Sequence, residues 1–424
     1  MKTHMTVFKG YKILYVPSST RQILVSSLIS FSEMHETESM YGASHLLEHI
    51  LLNSWNKYPD YEINNELLRR GIENNAETHN HYVWYYTYGA ESNMNFLLEY
   101  LVTIMTAPKF NKHVLNTEIK AIRQELLGYL QNSDTQMEKK MWDTYVPNSP
   151  TSSNNDMRKL IKNLKSFDVG KVNSFFKKAY KPSNITFIVL GSKANRNKVV
   201  NGIKKLLRPI KAPKVSSEVR ITSKFTNLTK SKFIDLPRSD MVKSTVWLVF
   251  ARDYTSSYRN NIIFNLMGNV LCSNLGSILY EVLRIKKKLV YEINSWMEPG
   301  PLLESITLNF TCDTSKVYTI ILLIKQVIEG DIISDKKWKG IKDIAIRDAK
   351  QSCSILDKAQ DYSSQWSQFG QLENTVKIIN SISKKDVLKC VREVFLFNKV
   401  LILHQSPNKF PKNIRDQLLT KLNV

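Results

Sequence analysis

An α+β fold of two similar domains is what this sequence predicts, and three observations carry that reading. First, 424 residues exceed what one hydrophobic core organises, which sets the expectation at two domains. Second, period-two apolar runs alternate with runs of period 3.6, the mark of sheets covered by helices. Third, a helix over residues 64–71 that leads into a strand over 75–86 is echoed faintly by a helix over 277–284 and a strand over 291–296. The expected boundaries are a first domain over 1–208, a linker over 209–240 and a second domain over 241–424.

The elements follow in order. Residues 1–15, with Phe8, Ile13 and Tyr15, read as a first strand, and 22–30 as the next. The short, mostly apolar segment 43–52 reads as a helix. Residues 61–70 read as a helix closed by Gly71, a residue suited to the left-handed position after a helix end. The run 82–88 alternates as a half-buried strand does. A long apolar helix over 93–106 stops before Pro108, and a further helix over 114–130 shows Leu115, Ile119, Ile122, Leu126 and Leu130 at three-to-four spacing. Helix 169–179, strand 185–191 and a helix to about residue 207 complete the first half. Pro209, Pro213 and a polar stretch to Lys232 read as the linker, and 244–250 opens the second half as a strand.

The densest chemistry lies in His45-Leu46-Leu47-Glu48-His49. Two imidazoles four positions apart stand on one helical face. With the carboxylate beside the second, they form H-x-x-E-H, the inverted form of the H-E-x-x-H motif of zinc peptidases. Zinc takes nitrogen ligands at about 2.0–2.1 Å and, in catalytic sites, leaves one position open. Glu48 would then be the base that accepts a proton from water, not a ligand. A third ligand must come from elsewhere. Glu118 and Glu125 lie seven apart on the 114–130 helix and so near one face, and two histidines with one glutamate form a recognised zinc donor set. On spacing alone, however, both read as ordinary solvated helix positions. His79 and His81, two apart with no third ligand nearby, read as structural.

The stretch Tyr41-Gly-Ala-Ser-His-Leu-Leu-Glu-His-Ile50 resembles the signature of the pitrilysin/insulinase family of zinc metallopeptidases, which includes the catalytic subunit of the mitochondrial processing peptidase and short bacterial relatives. The resemblance implies that Glu125, 76 residues after His49, is the third ligand of one Zn²⁺ per chain. It also implies that Glu118 orients a ligating imidazole from behind. Asn75-Ala76-Glu77-Thr78 looks like the family's strand beside the metal, so Asn75, Ala76 and Thr78 are expected to bind substrate by strand addition. Leu283-Arg284 through Tyr291 resembles the family's second-domain motif, which makes Arg284 and Tyr291 donors to the developing oxyanion. Taken alone, Arg284 reads as a surface cation and Tyr291 as a core aromatic. The chain departs from the family pattern at Asn53-Ser54-Trp55 and in the Ser/Asn-rich region 147–156.

The resemblance further implies two sandwich-like domains, each a mixed or antiparallel sheet covered by helices, forming half of a clamshell in which only the first domain binds zinc. The expected activity is zinc-dependent endopeptidase cleavage of peptides or of unfolded or precursor protein segments. Relatives of this length pair, which implies a homodimer, or a heterodimer with a related subunit, with composite active sites. The rival reading is a non-catalytic core-type subunit of a larger complex with the same fold.

Bulk properties exclude several classes. At 42% hydrophobic and 23% charged, the sequence is globular and not disordered. No apolar run is long enough to span a membrane, and no signal or transit peptide is evident. Cys272, Cys312, Cys353 and Cys390 lack C-x-x-C spacing and read as free thiols, so an intracellular, reducing compartment, the cytoplasm, is expected. The net charge of +22 is spread through a Lys-, Asn- and Ile-rich chain without an arginine-rich block, which reads as compositional bias, so nucleic acid is not an expected partner.

Overall fold

The computed structural model describes residues 3–211, 221, 223–272, 276–330, 333–351 and 354–423. Two compact units emerge, and neither is continuous in the chain. Unit 1 comprises Met1–Asn132, Asn148–Ser223 and Ser352–Leu372, and unit 2 comprises Ser133–Pro147, Lys224–Gln351 and Glu373–Val424.

Unit 1 contains β1 (His4–Phe8), β2 (Tyr11–Pro17), β3 (Gln22–Ile29), β4 (Glu73–Thr78), β5 (Val83–Ala90) and β6 (Ile185–Gly191). They lie in the order β1-β2-β6-β3-β5-β4, with β2 and β6 parallel and every other pair antiparallel. The single strand expected over 1–15 is a hairpin instead. Lys9 (φ 50) and Gly10 (φ 86) both take left-handed backbone, the two-residue turn that matches strand twist.

Side-chain alternation divides this sheet's two faces. Ile13, Tyr15, Ile23, Val25, Tyr85, Phe187 and Val189 face a core shared with α1 (Ala43–Leu51), α3 (Met94–Thr106) and α4 (Lys112–Gln131). The short helix α2 (Glu62–Arg69) leads into β4. Leu14, Val16, Leu24, Leu28, Trp84, Ile188 and Leu190 face the other way, against Ile355 and Ala359 of the helix Ile355–Phe369. Trp366 of that helix donates its Nε1–H to Thr186 Oγ1 at 3.1 Å. Cover on both faces is why these strands read as nearly unbroken apolar runs.

Unit 2 contains β7 (Lys232–Asp235), β8 (Ser244–Arg252), β9 (Ile293–Pro299), β10 (Glu304–Cys312) and β11 (Leu401–Gln405), in the order β7-β11-β8-β10-β9. Here β7 and β11 are parallel and the rest antiparallel. Strand for strand, β7 to β11 reproduce the order, pairing and direction of β2 to β6, so the fold is two similar α/β units with mixed sheets. The helix α5 (Ser133–Tyr145) packs on β8 and β11, and Tyr145 donates its hydroxyl proton to Val249 O at 3.0 Å. Each sheet therefore takes one covering helix from the other half of the sequence.

Three expectations shift. Residues 232–235, placed in the linker, form β7, because they pair in register with β11. Much of the remaining linker, 212–220 and 222, lies outside the described residues. The helix expected over 277–284 is a π-helical turn, Tyr280–Lys286, and the following strand starts at Ile293, so Tyr291 lies outside it. Cys272, Cys312 and Cys390 are buried thiols, and Cys353 lies outside the described residues. No helix among the described residues is long and apolar enough to cross a membrane.

Two histidines with lowered pKa link this fold to pH. His404 on β11 is fully buried, with Nδ1 2.8 Å from Asp235 Oδ1 on β7 and Nε2 2.9 Å from Ser244 Oγ on β8. Because Ser244 is fully buried as well, this Asp–His–Ser chain ties three strands and has no route to a substrate. Burial lowers the His404 pKa, against the opposing pull of Asp235. His81, beside Ser367 of the helix Ile355–Phe369, is pushed down to about 3 by burial and by His79 and His35. The unfolded chain takes up protons at such sites near pH 6.5 and the folded chain does not, so stability present above pH 6.5 is lost as pH falls below it. Between pH 7 and pH 5 the His81 contribution is expected to cost about 1–2 kcal/mol, read from denaturant midpoints. In His81→Gln that slope should shrink; a slope equal to the wild type's would contradict the assignment.

Candidate metal centre

Helix α1 begins at Gly42, whose φ of 86 turns the chain into the first helical turn. Leu46, Leu47, Ile50 and Leu51 are buried, which directs the stripe carrying His45 and His49 away from the core centre and toward α4. The two imidazole rings lie edge to face, 5.0 Å apart.

Helix α4 supplies the acidic partners. Glu125 Oε2 lies 3.5 Å from His45 Nε2 and 3.6 Å from His49 Nε2. Seven residues earlier, Glu118 Oε2 lies 3.1 Å from His49 Nδ1. The two glutamates thus address opposite nitrogens of one imidazole. Tyr61, preceding α2, donates its hydroxyl proton to the other Glu118 oxygen at 2.7 Å. Thr78, at the end of β4, donates to Glu48 Oε2 at 2.8 Å.

The donor atoms of His45, His49 and Glu125 all lie within 4.8 Å of one another, and all three residues are half-buried. Ligands at about 2.0–2.1 Å in a tetrahedron stand roughly 3.3 Å apart, close to the separations around Glu125 Oε2. The set fits a transition-metal ion of zinc's size. Electrostatics agree. Burial alone would lower the His49 pKa, but hydrogen bonds that the ring donates to Glu118 and Glu125 and the charge of Glu48 outweigh it and raise the pKa to about 9. Hydrogen bonds from His45 and His49 hold Glu125 well below the usual carboxylate range. A cation is what this cluster of anions favours, whether a proton or a metal.

Other residues singled out in the sequence fall in different places. Ala76 is buried against the core, on the same strand face as Thr78. Asn75 points to the opposite face, where it hydrogen-bonds Tyr86. β4 pairs only with β5, so its outer edge is open among the described residues of unit 1. Arg284 and Tyr291 belong to unit 2, where the guanidinium lies 4.2 Å from the centre of the Tyr291 ring. Tyr291 is 73% exposed, not the core aromatic that its sequence alone suggests. His79 and His81 join no metal-ligand group among the described residues. Tyr61 escaped sequence reasoning, since nothing local marks a tyrosine that bonds a residue 57 positions away.

Comparison with known proteins places the chain. Residues 13–154 match the family profile described as Insulinase (Peptidase family M16), and residues 166–332 match that of the Peptidase M16 inactive domain. The chain belongs to the M16, or insulinase, family. The part of this M16 chain that matches the inactive domain contains no histidine at all. The uncharacterized zinc protease YmxG of Bacillus subtilis (strain 168) is 26% identical over 125 residues, 29% of this chain and 31% of that protein, so the alignment spans less than a third of the relative. Among solved structures, a protease from Helicobacter pylori superposes with a TM-score of 0.85 at 17% identity, covering 96% of this chain and 100% of that one. A Peptidase M16 inactive domain from Pseudomonas fluorescens gives 0.80 at 13%, covering 96% and 99%. The periplasmic protease PqqL from Escherichia coli gives 0.79 at 13%, covering all of this chain and 50% of that one. At these identities the superpositions show a shared M16 fold.

Two outcomes follow for metal binding. Glu118→Gln is expected to weaken divalent zinc binding by about 10–100-fold, and Tyr61→Phe by less, in competition with a chromogenic chelator. A proton on His49 must leave before its nitrogen can act as a ligand, so affinity should rise with pH between 7 and 9, and Glu118→Gln should flatten that rise. Flat wild-type affinity over that range would contradict a raised His49 pKa.

Proposed function

We propose that this M16-family chain is a zinc endopeptidase acting on peptides or on unfolded or precursor protein segments. The observation that carries the reading is the convergence of His45, His49 and Glu125 beside the Glu48 carboxylate, next to the open edge of β4. Three protein donors with partial exposure fit a catalytic metal site, which keeps a position open, better than a closed structural one. When bound, zinc supplies Lewis acidity, which lowers the pKa of water from about 15.7 toward 7.

The remaining work falls to side chains and backbone. Glu48, held by Thr78, takes the proton from the attacking water and later gives it to the leaving amine. The open edge of β4 offers backbone N–H and C=O groups that bind an extended substrate as an added strand. Such binding reads backbone more than side chains, which suits unfolded segments. Arg284 and Tyr291 donate hydrogen bonds to the carbonyl oxygen as its charge develops. A pair of chains, two copies or this chain with a related subunit, would supply them across subunits.

The test is cleavage of a mixed pool of short peptides by zinc-loaded protein, with and without a chelator, beside Glu48→Gln. Cleavage should stop with the chelator, and Glu48→Gln should lower kcat by about 10²–10⁴-fold while zinc stays bound. A folded, zinc-loaded protein that cleaves nothing, or a variant as active as the wild type, would overturn the proposal.

A further inference from the structure

One buried carboxylate near the metal helix has no part in the chemistry above. Glu36 is 3% exposed and lies in the loop before α1. Gly42 donates its N–H to Glu36 Oε2 at 2.8 Å, and Ser44 donates its N–H to Glu36 Oε1 at 2.6 Å. Each oxygen is therefore committed to the start of α1.

The need for this contact follows from the sequence of the helix start. The first N–H groups of any helix lack intrahelical partners, and a Ser, Thr, Asp or Asn at the capping position normally supplies one. Here that position is Gly42, which has no side chain, and the first intrahelical bond runs from Leu46 N to Gly42 O. The left-handed φ of Gly42 turns its own N–H toward Glu36. Glu36 thus does from six residues upstream what a capping side chain does locally. It also sets carboxyl oxygens where the helix dipole favours negative charge.

We infer that Glu36 is a positioning residue for the first metal ligand. Ser44, whose N–H it grips, immediately precedes His45. The two imidazoles are then fixed from opposite ends, His49 by Glu118 and His45 by Glu36 through the first turn of α1. Donor sets of this kind tolerate displacements of only about 0.5 Å. Loosening the first turn therefore moves His45 while leaving His49 and Glu125 in place. The inference rests on the zinc reading above, and its test separates the two.

Zinc affinity is measured by chelator competition for the wild type, Glu36→Gln, Glu36→Ala and a control, Leu190→Ala. The control removes a buried side chain from the sheet face turned away from α1. Thermal midpoints of the zinc-free proteins are recorded alongside. Glu36→Gln keeps the shape but sets an NH₂ against one of the two N–H donors, and should bind zinc about 10-fold more weakly. Glu36→Ala should lose more, and Leu190→Ala, although destabilised, should stay within about twofold of the wild type. A folded Glu36→Gln with wild-type affinity overturns the inference, as does a control that loses affinity equally at equal loss of stability. If neither Glu36 variant folds, Glu36 is a general cap of unit 1 and the inference falls. A wild type that binds no zinc removes the preceding functional reading instead.

Discussion

The packing of α1 against α4 governs the rest of the site, because it brings two imidazoles and two carboxylates together at an interface otherwise built from leucine and isoleucine. Polar groups at such an interface are costly unless each finds a partner. The partnering is specific. Glu118 and Glu125, one heptad apart on α4, address the two nitrogens of His49, and Tyr61 takes the remaining Glu118 oxygen. Thr78 holds Glu48 from the neighbouring strand end, and Glu36 holds the start of α1. The constellation is fixed by elements distributed over about ninety residues of unit 1, from Glu36 to Glu125.

The two units share one sheet topology and diverge in chemistry. In unit 1 the edge strand β4 runs beside a helix with two histidines, while in unit 2 the corresponding strand β9 accompanies the helix Tyr258–Leu271, which has none. What the second unit offers instead is a half-buried Arg284 on a π-helical turn, a local irregularity common at functional positions, with its guanidinium over the ring of the exposed Tyr291 that follows the turn.

Legibility in the sequence followed the range of each interaction. The His45–Glu48–His49 stripe was readable because i and i+4 share a helical face whatever the tertiary context. Strands β3, β5, β6 and β8 were readable from their apolar runs, and the second unit's echo of the first from the order of helix and strand, whereas β7 read as linker and nothing marked β10 and β11. The meeting of Glu125 with the two histidines was not readable from spacing, since a solvated glutamate and one facing them look alike until α1 arrives; family resemblance singled it out. Glu36 and Tyr61 act through contacts that no periodicity encodes. The membership of α5 in unit 2 and of the helix Ile355–Phe369 in unit 1 was equally hidden, because pattern reading assigns a helix to its sequence neighbours. The Lys9–Gly10 hairpin, by contrast, carried a local glycine signal that the reading of 1–15 as one strand passed over.

X-ray absorption at the zinc edge of the loaded protein tests the central claim most directly. Two imidazole nitrogens at about 2.0–2.1 Å with oxygen neighbours and no sulfur, at one zinc per chain, is the expected result. Zinc bound substoichiometrically, or a sulfur shell near about 2.3 Å, would place the metal elsewhere and contradict it.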